Sequence, residues 1–317
     1  MDRTAALLAM LSAETPIVQA PIGGCATIEL AAEVGRAGGV GGLALTWDSP
    51  DEAVGKVKEL KRRVGARFFV NYVLRFPPTS LDAVLAEGVS AVTLSWGVDA
   101  GLIAKVKATG VRVGVQVGHP LGAKQAAEAG ADFIIVQGCE AGGHVQSSTP
   151  VSALLAALRE VDLPLPLVAA GGLATSADVR KALEAGADAA MLGTRFVATL
   201  EANAHPAYKQ ALVQATASDT AYTYCFDVGW PFSAVRVLRN ETLAAWEEAG
   251  CPAPPDRPGE NDLIVEQDGQ KVLRYSDSAP RATATGNPLA AVMYAGTSVD
   301  GIDGVLPAFD VVRRLSR

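Results

Sequence analysis

Cysteine is scarce in this chain and is never closely spaced. The 317 residues contain Cys25, Cys139, Cys225 and Cys251, and no two of them form a Cys-x-x-Cys pair. Zinc sites and disulfide frameworks are usually marked by short, regular cysteine spacings. We therefore expect no metal site and no disulfide framework, and we interpret the four residues as reduced thiols of a cytoplasmic protein.

An excess of basic residues and long apolar runs are also lacking. Lys and Arg number 27 against 34 Asp and Glu, so the net charge is −7 and the isoelectric point is near 5.1. Nucleic-acid binding needs clustered Lys and Arg that neutralise phosphates. No run approaches the roughly 20 apolar residues that span a bilayer, and the first residues lack the pattern of a signal peptide. We expect no nucleic-acid partner and no membrane partner, and no pattern indicates the oligomeric state.

The sequence does contain a repeated alternation of short apolar segments and helical patterns. Two copies of EAGAD, at Glu128–Asp132 and Glu184–Asp188, each place a glycine between the end of a helix and the start of an apolar strand. Successive helix-to-strand connections produce this signature. Eight such strands predict an α/β fold, a (β/α)8 TIM barrel. The predicted strands are Ile17–Pro21, Val40–Leu45, Arg67–Tyr72, Ala91–Ser95, Val111–Gln116, Phe133–Gln137, Leu167–Ala170 and Ala189–Leu192.

This regular alternation ends after Arg195. We predict that residues 1–215 form the barrel and that residues 216–281 form a mostly helical or irregular cap inserted after the eighth strand. Residues 282–317 would then return to the barrel. The cap region contains no interpretable motif, so the sequence does not indicate the physiological substrate.

The sixth predicted strand leads into a glycine-rich loop that ends on a histidine. Gly138, Gly142 and Gly143 precede His144, which is one of only three histidines. Glycines let the backbone approach a ligand closely, and histidine is the side chain best suited to proton transfer near neutral pH. We predict that His144 is a catalytic base; a purely structural histidine is the alternative.

Glycines also follow the seventh and eighth predicted strands, where (β/α)8 barrels commonly bind phosphate groups. Gly171 and Gly172 follow the seventh strand; Gly193 and Thr194 follow the eighth, with Arg195 as a candidate cation. Either glycine segment alone is more often a turn. Together, at consecutive strand ends, they predict a phosphate site.

Four further side chains lie at or just after predicted strand ends. Trp96 follows the fourth strand and His119 the fifth, so both are candidates for lining a substrate pocket. Gln19 and Asn71 would either contact a ligand or merely satisfy backbone groups at the strand ends.

Four segments of the chain resemble the nitronate monooxygenases, formerly called 2-nitropropane dioxygenases, and their flavin oxidoreductase relatives. The resemblance covers about residues 16–200 and returns at residues 291–301. It is carried by PIVQAPIGGCATIELAAEVGRAGGVG (residues 16–41), VQGCEAGGH (136–144), AAGGLATSADVRKALEAGADAAMLGTRFVAT (169–199) and MYAGTSV (293–299).

This resemblance implies an FMN bound over the mouth of the barrel. The residues that match the family's segments would contact it in three groups. Gln19, Ala20, Pro21 and Ile22 would lie against the flavin ring, and Asn71 and Gln137 would bind its polar edge. Gly142, Gly143, Gly171, Gly172, Gly193 and Thr194 would hold the phosphate and ribityl end, and Tyr294, Ala295 and Gly296 would close over the site.

The resemblance also implies a reaction. The enzyme would oxidise alkyl nitronates with O2 to a carbonyl compound and nitrite, with His144 acting on the substrate. One alternative keeps the FMN and reduces a quinone or an enoyl thioester with NAD(P)H. An alternative of another class is a non-redox barrel that binds a phosphorylated metabolite.

Overall fold

A computed structural model describes residues 2–161 and 163–317 and contains the predicted barrel. Eight parallel strands form one sheet, and backbone pairing of Val18 with Val40 joins its first and last strands, so the sheet closes. Its strands are β1 (Ile17–Gln19), β2 (Gly41–Ala44), β3 (Phe68–Val73), β4 (Ala91–Ser95), β5 (Arg112–Val117), β6 (Phe133–Gln137), β8 (Leu167–Ala170) and β9 (Ala189–Leu192), with β7 (Gly143–His144) lying outside the barrel. The predicted fold class is confirmed.

The described residues form twelve α-helices, and most of them cover the outside of the barrel. They are α1 (Arg3–Met10), α2 (Ile28–Arg36), α3 (Pro50–Val64), α4 (Leu81–Ala86), α5 (Ala100–Ala108), α6 (Pro120–Glu128), α7 (Val151–Glu160), α8 (Ser176–Glu184), α9 (Thr194–Val197), α10 (Pro206–Gln214), α11 (Glu241–Glu248) and α12 (Ala308–Leu315). None of these helices, all within the described ranges, is both long and apolar enough to cross a membrane.

The two EAGAD segments form helix ends of the predicted kind. Gly130 and Gly186 adopt φ of 93° and 101°, values that favour glycine. After Gly130, the Ala131 N–H donates to the Ala126 carbonyl at 2.9 Å, which satisfies a carbonyl left open at the end of α6. The chain is thereby turned directly into the next strand.

Apolar side chains fill the barrel from below and leave its other end open. Val18, Phe69, Phe133 and Met191 point into the interior, where Leu7 of α1 and neighbouring residues pack against them. A larger cluster lies between the strands and the outer helices. Because the strands are parallel, their carboxyl ends all face the remaining open end, where the loops meet.

The segment predicted as a cap is for the most part irregular, but it also contains strands that the sequence did not predict. Within residues 216–281 these are β10 (Thr220–Thr223), β11 (Val235–Leu238), β12 (Leu263–Gln267) and β13 (Gln270–Leu273). Strand β11 pairs with both β10 and β7, and β12 pairs with β13 and with β14 (Thr285–Gly286). Strands β10 and β11 give little local signal in a sequence. Strands β12 and β13 form a hairpin around Asp268 and Gly269, a turn signal that our predictions did not use.

The C-terminal residues return to the barrel. Helix α12 packs against α2 and α8 and so completes the outer layer. Two 3₁₀ turns, Ala217–Asp219 and Thr297–Gly301, lie near each other at the entry to the cap and its exit. The domain boundaries at residues 215 and 281 stay predictions, since β7 of the barrel loops and β11 of the cap share one sheet.

Candidate active site

An open cavity of about 380 Å³ lies at the carboxyl ends of the barrel strands. Its walls come from the loop after β1, from the ends of β2 to β6, and from the cap. A narrower recess of about 90 Å³ adjoins it and shares Gly142, Gly193 and Thr194 with it. We call the narrower space the glycine recess, because Gly142, Gly171, Gly172, Gly193 and Gly296 line it.

The glycine recess depends on close contact between two loops. A Cβ at Gly142 would lie 2.5 Å from the Gly296 nitrogen, and a Cβ at Gly296 would lie 2.7 Å from the Glu140 carbonyl oxygen. The Gly296 N–H donates to Thr194 Oγ1 at 3.0 Å, and the Thr297 N–H donates to the Glu140 carbonyl at 3.0 Å. Residues 296–297 therefore close the recess from above, and only glycine fits at positions 142 and 296.

The chemistry of the recess suits an anionic group. Main-chain atoms and the hydroxyls of Thr194 and Ser298 line it, and its lining residues include no carboxylate. At Gly193 a side chain would meet only the Ala20 methyl, at 3.7 Å, so the missing Cβ leaves open space. Backbone-lined concavities of this kind bind phosphate groups in many proteins. The residues present therefore fit the phosphate end of a nucleotide-like cofactor.

Arg195 does not supply the cation that the sequence suggested. Its guanidinium is buried and donates to the carbonyls of Ala198 at 2.8 Å and Gly304 at 2.7 Å. It does not line the recess. The reason is that the short helix α9 begins at Thr194 and turns the side chain of Arg195 away from the strand end.

His144 lies on the wall of the larger cavity, held by the cap. It pairs with Val235 of β11, and its ring centroid lies 4.9 Å from that of Trp230, 5.6 Å from Tyr294 and 6.4 Å from Trp96. Its Nε2 is buried and has no hydrogen-bond partner among the described residues. Burial lowers the pKa of His144 from 6.5 to about 4, because the charged form loses hydration. The ring is therefore neutral at neutral pH and can accept a proton.

Gln137 holds the loop that carries His144. Its Oε1 accepts from the Gln146 N–H at 2.8 Å, and its Nε2 donates to the His144 carbonyl at 3.2 Å. It also lines both the cavity and the recess. The structure thus gives Gln137 a positioning role, and its contact with a flavin ring stays a prediction.

Of the flavin-ring contacts predicted in the first loop and at the end of β3, all but one line the cavity. Ala20, Pro21, Ile22 and Asn71 line the cavity. Gln19 does not: it is fully buried, and it exchanges hydrogen bonds with the backbone N–H and carbonyl of Gly42 at 2.9 and 3.0 Å. The structure therefore gives Gln19 the alternative role, because its amide satisfies backbone groups of the neighbouring strand.

Four other predicted residues differ in their position relative to the cavity. His119 does not line the cavity; it precedes α6, and its Nδ1 accepts from the Leu121 N–H at 3.1 Å. Ala295 is fully buried in a small apolar cluster beneath the site. Tyr294 lines the cavity, as does Trp96, whose φ of 66° is unusual for a bulky residue. Gly143 also lines the cavity, and Gly142, Gly171, Gly172, Gly193, Thr194 and Gly296 meet at the recess.

The sequence did not point to Trp47, Trp230 and Asp277, although all three line the cavity. Three of the four tryptophans in the chain are therefore gathered at this site. Asp277 is half-buried and makes no ion pair among the described residues; burial raises the pKa of its carboxyl. The one available signal was the scarcity of tryptophan, which does not indicate where the residues meet.

An open cavity with an available base, at the carboxyl end of a (β/α)8 barrel, defines the protein as an enzyme that acts on a small molecule. The family model for nitronate monooxygenase matches residues 76–317, and the chain belongs to this family. The predicted family and the oxidoreductase class are confirmed. Nitronate monooxygenases are in general flavin-dependent.

The relatives and solved structures agree with this membership. The chain is 30% identical to the nitronate monooxygenase of Pseudomonas aeruginosa, over 96% of each chain. It is 33% identical to an octahydro-indene-carboxyl-CoA dehydrogenase of Rhodococcus jostii, over 77% of this chain and 68% of the relative. The nitroalkane oxidase of Streptomyces ansochromogenes has a similar structure, with a TM-score of 0.78 and 30% identity, covering 98% of this chain and 96% of that one.

Proposed function

We propose that the protein binds FMN and oxidises alkyl nitronates with O2 to a carbonyl compound and nitrite. The single observation that carries the proposal is His144: a neutral imidazole with a buried, unpartnered Nε2 on the wall of a cavity that adjoins the glycine recess. Family membership supports the reaction, and the chemistry of the recess supports the cofactor.

The recess would hold the FMN phosphate through main-chain N–H groups and the hydroxyls of Thr194 and Ser298. Ala20, Pro21, Ile22 and Asn71 would contact the ring from the barrel side of the cavity. Tyr294 and Gly296 would cover the site, since the closing segment is already hydrogen-bonded there. When bound, FMN supplies the electron transfer from the substrate and the reaction with O2.

His144 acts on the substrate. Its neutral Nε2 can remove the proton on the carbon next to a nitro group, and the resulting imidazolium can then hold the anionic nitronate beside it. A nitronate that enters already deprotonated has no such proton to lose, so His144 acts as a base only on the neutral nitroalkane. Trp230 and Trp96 keep water away from this atom, which is why the pKa of His144 is low.

The test is His144→Asn. The variant should keep its flavin, because His144 does not line the recess, but with a neutral nitroalkane as substrate it should lose turnover on the order of 10²–10⁴-fold, as expected for a lost acid–base group. Flavin content is read from the visible absorption spectrum, and turnover from O2 uptake and nitrite release. The matched control is His119→Asn, which changes a histidine outside the cavity and keeps a residue that can cap α6. Near-normal turnover in His144→Asn would remove His144 from the reaction.

A second candidate is flavin-dependent redox chemistry on a thioester, with NAD(P)H as the reductant. It is favoured by the relative from Rhodococcus jostii, whose name specifies a CoA thioester substrate. The two candidates differ in what reduces the flavin: a nitronate in the first and a nicotinamide in the second. The third alternative, a non-redox phosphate-binding barrel, has no support from the family match.

A further inference from the structure

Three aromatic rings form a continuous row from the mouth of the cavity to His144; Trp47 and Trp230 line the cavity, and Phe76, which does not line it, packs between them. The centroids of Trp47 and Phe76 lie 5.4 Å apart, and those of Phe76 and Trp230 lie 5.3 Å apart. Trp230 in turn lies 4.9 Å from the His144 ring. We call Trp47, Phe76 and Trp230 the aromatic platform.

The platform is open to water at the mouth of the cavity and buried at its inner end. Trp47 is 60% exposed, Phe76 is half-buried and Trp230 is 3% exposed. Ligand cavities are lined predominantly by apolar and aromatic side chains such as these. Trp47 also lies against the first loop, since a Cβ at Gly23 would come within 3.9 Å of its ring. The exposed ring is therefore held in place at the mouth.

The charges of the cavity restrict what the platform can bind. Asp277 lines the same cavity and has no cationic partner there, whereas Arg281, which also lines it, is ion-paired with Asp268 at 2.8 Å. A substrate that already carries an anionic nitronate is therefore not helped by a second negative charge in its tail. An uncharged group is not repelled by the Asp277 carboxylate and can pack against the apolar rings.

We propose that the platform binds a flat, uncharged aryl group on the substrate, so that the enzyme prefers aryl-substituted alkyl nitronates to short alkyl nitronates. This inference rests on the proposed function, since it names the substrate class of the same site. A flat ring gains from stacked or edge-on contact with other aromatic rings beyond the gain from burial alone. The nitro-bearing carbon lies at His144, and the aryl group extends along Trp230 towards Trp47.

The test uses three preformed nitronates, those of nitroethane, its β-phenyl derivative and its β-cyclohexyl derivative, with the flavin-loaded enzyme. Because an apolar pocket distinguishes even one methylene by about tenfold or more, kcat/KM should be at least about tenfold higher for the phenyl compound than for nitroethane. The phenyl compound should also exceed the cyclohexyl compound, of similar size, by roughly two- to fivefold, because only the phenyl ring is aromatic.

Trp47→Ala should lower the phenyl-to-ethyl ratio of kcat/KM by roughly three- to tenfold, mainly through KM, and Trp47→Phe should restore most of it. The exposure of Trp47 makes a folding defect in this variant improbable as an explanation, and thermal unfolding checks it. The matched control is Tyr224→Ala, which removes an aromatic ring that is 59% exposed and lies outside the cavity, and which should leave the ratio unchanged. An unchanged ratio in Trp47→Ala, or equal kcat/KM for all three nitronates, would overturn the inference.

Binding of redox-inert carboxylates separates this inference from the proposed function. Propanoate, phenylpropanoate and cyclohexylpropanoate match the three nitronates in shape and charge, and their binding to the flavin-loaded protein is followed by the flavin spectrum. If no nitronate is oxidised but phenylpropanoate binds most tightly and loses that advantage in Trp47→Ala, the proposed reaction fails and the aryl site stands. If nitronates are oxidised without preference and the three carboxylates bind equally, the reaction stands and the aryl site fails.

Discussion

The two ends of the cavity are built in different ways. The glycine recess is made largely of backbone from loops that directly follow barrel strands and from the C-terminal segment, packed so closely that a single Cβ at Gly142 would collide with Gly296. The aromatic platform is made of large side chains from the loops after β2 and β3 and from the cap. The recess leaves little room for variation, whereas the platform can change one ring at a time. This difference suggests that the fold determines how the cofactor is held and that the side chains at the mouth determine which substrate enters.

His144 lies between the two ends, and its titration measures how well the aromatic rings bury it. Burial lowers its folded pKa to about 4 from 6.5, so between these values the unfolded chain binds a proton that the folded chain does not. This contribution to the free energy of unfolding is complete above about pH 6.5 and is lost as the pH falls towards 4, by on the order of 3 kcal/mol at most. Urea unfolding of the wild type and His144→Asn should show this difference, since other titrating groups are common to both. Parallel pH profiles in the two proteins would mean that the ring is not buried in this way.

The recess can be filled without disturbing the platform. In Gly193→Val the new side chain meets only Ala20 and occupies the space expected for the FMN phosphate end. Because overpacking typically costs 1–3 kcal/mol, FMN affinity should fall by roughly 5- to 150-fold. Titration of the flavin-free protein with FMN measures this, and Gly55→Val is the matched control on the exposed side of α3, where nothing lies within 4 Å. Unchanged FMN affinity in Gly193→Val would show that the cofactor does not use the recess.

The charge at the platform end should have the smallest effect. Asp277→Asn removes a carboxylate that lines the cavity without an ionic partner and that opposes an anionic nitronate. Because a single partly exposed charge interaction is worth up to about 1 kcal/mol, kcat/KM for nitronates should rise about two- to fivefold at neutral pH. The gain should shrink as the pH falls towards the raised pKa of Asp277, since the wild-type carboxyl then becomes neutral. A decrease in kcat/KM would instead assign Asp277 to substrate binding.

The barrel could be predicted from the sequence almost completely. Each of the eight predicted strands is present, with ends that differ by only one or two residues, because parallel strands buried on both faces read as unbroken apolar runs. In the cap, the hairpin of β12 and β13 is marked by its Asp268-Gly269 turn, but β10 and β11 could not be predicted in this way. Strand β11 is recognisable only through its partners β7 and β10, which lie far from it or have no apolar pattern of their own.

The same division holds within the site. Most loops of the glycine recess could be predicted because each lies next to its strand in the sequence, whereas Gly296 came only from the family resemblance. A position at or after a strand end did not by itself predict a contact with the cavity. The His119 imidazole caps α6, and the Gln19 amide binds the backbone of Gly42. Trp230 reaches His144 only because the cap folds back through β11, and no local pattern in residues 216–281 indicates that contact.

The most direct measurement is anaerobic mixing of the flavin-loaded enzyme with a nitronate, with NADH and with NADPH, while the flavin absorption band is followed. The account predicts rapid bleaching by the nitronate and slow or no bleaching by either nicotinamide. In His144→Asn a neutral nitroalkane, which still needs its proton removed, should bleach the band far more slowly than it does in the wild type. Rapid bleaching by NADH or NADPH, with none by the nitronate, would contradict nitronate oxidation and favour the reductase.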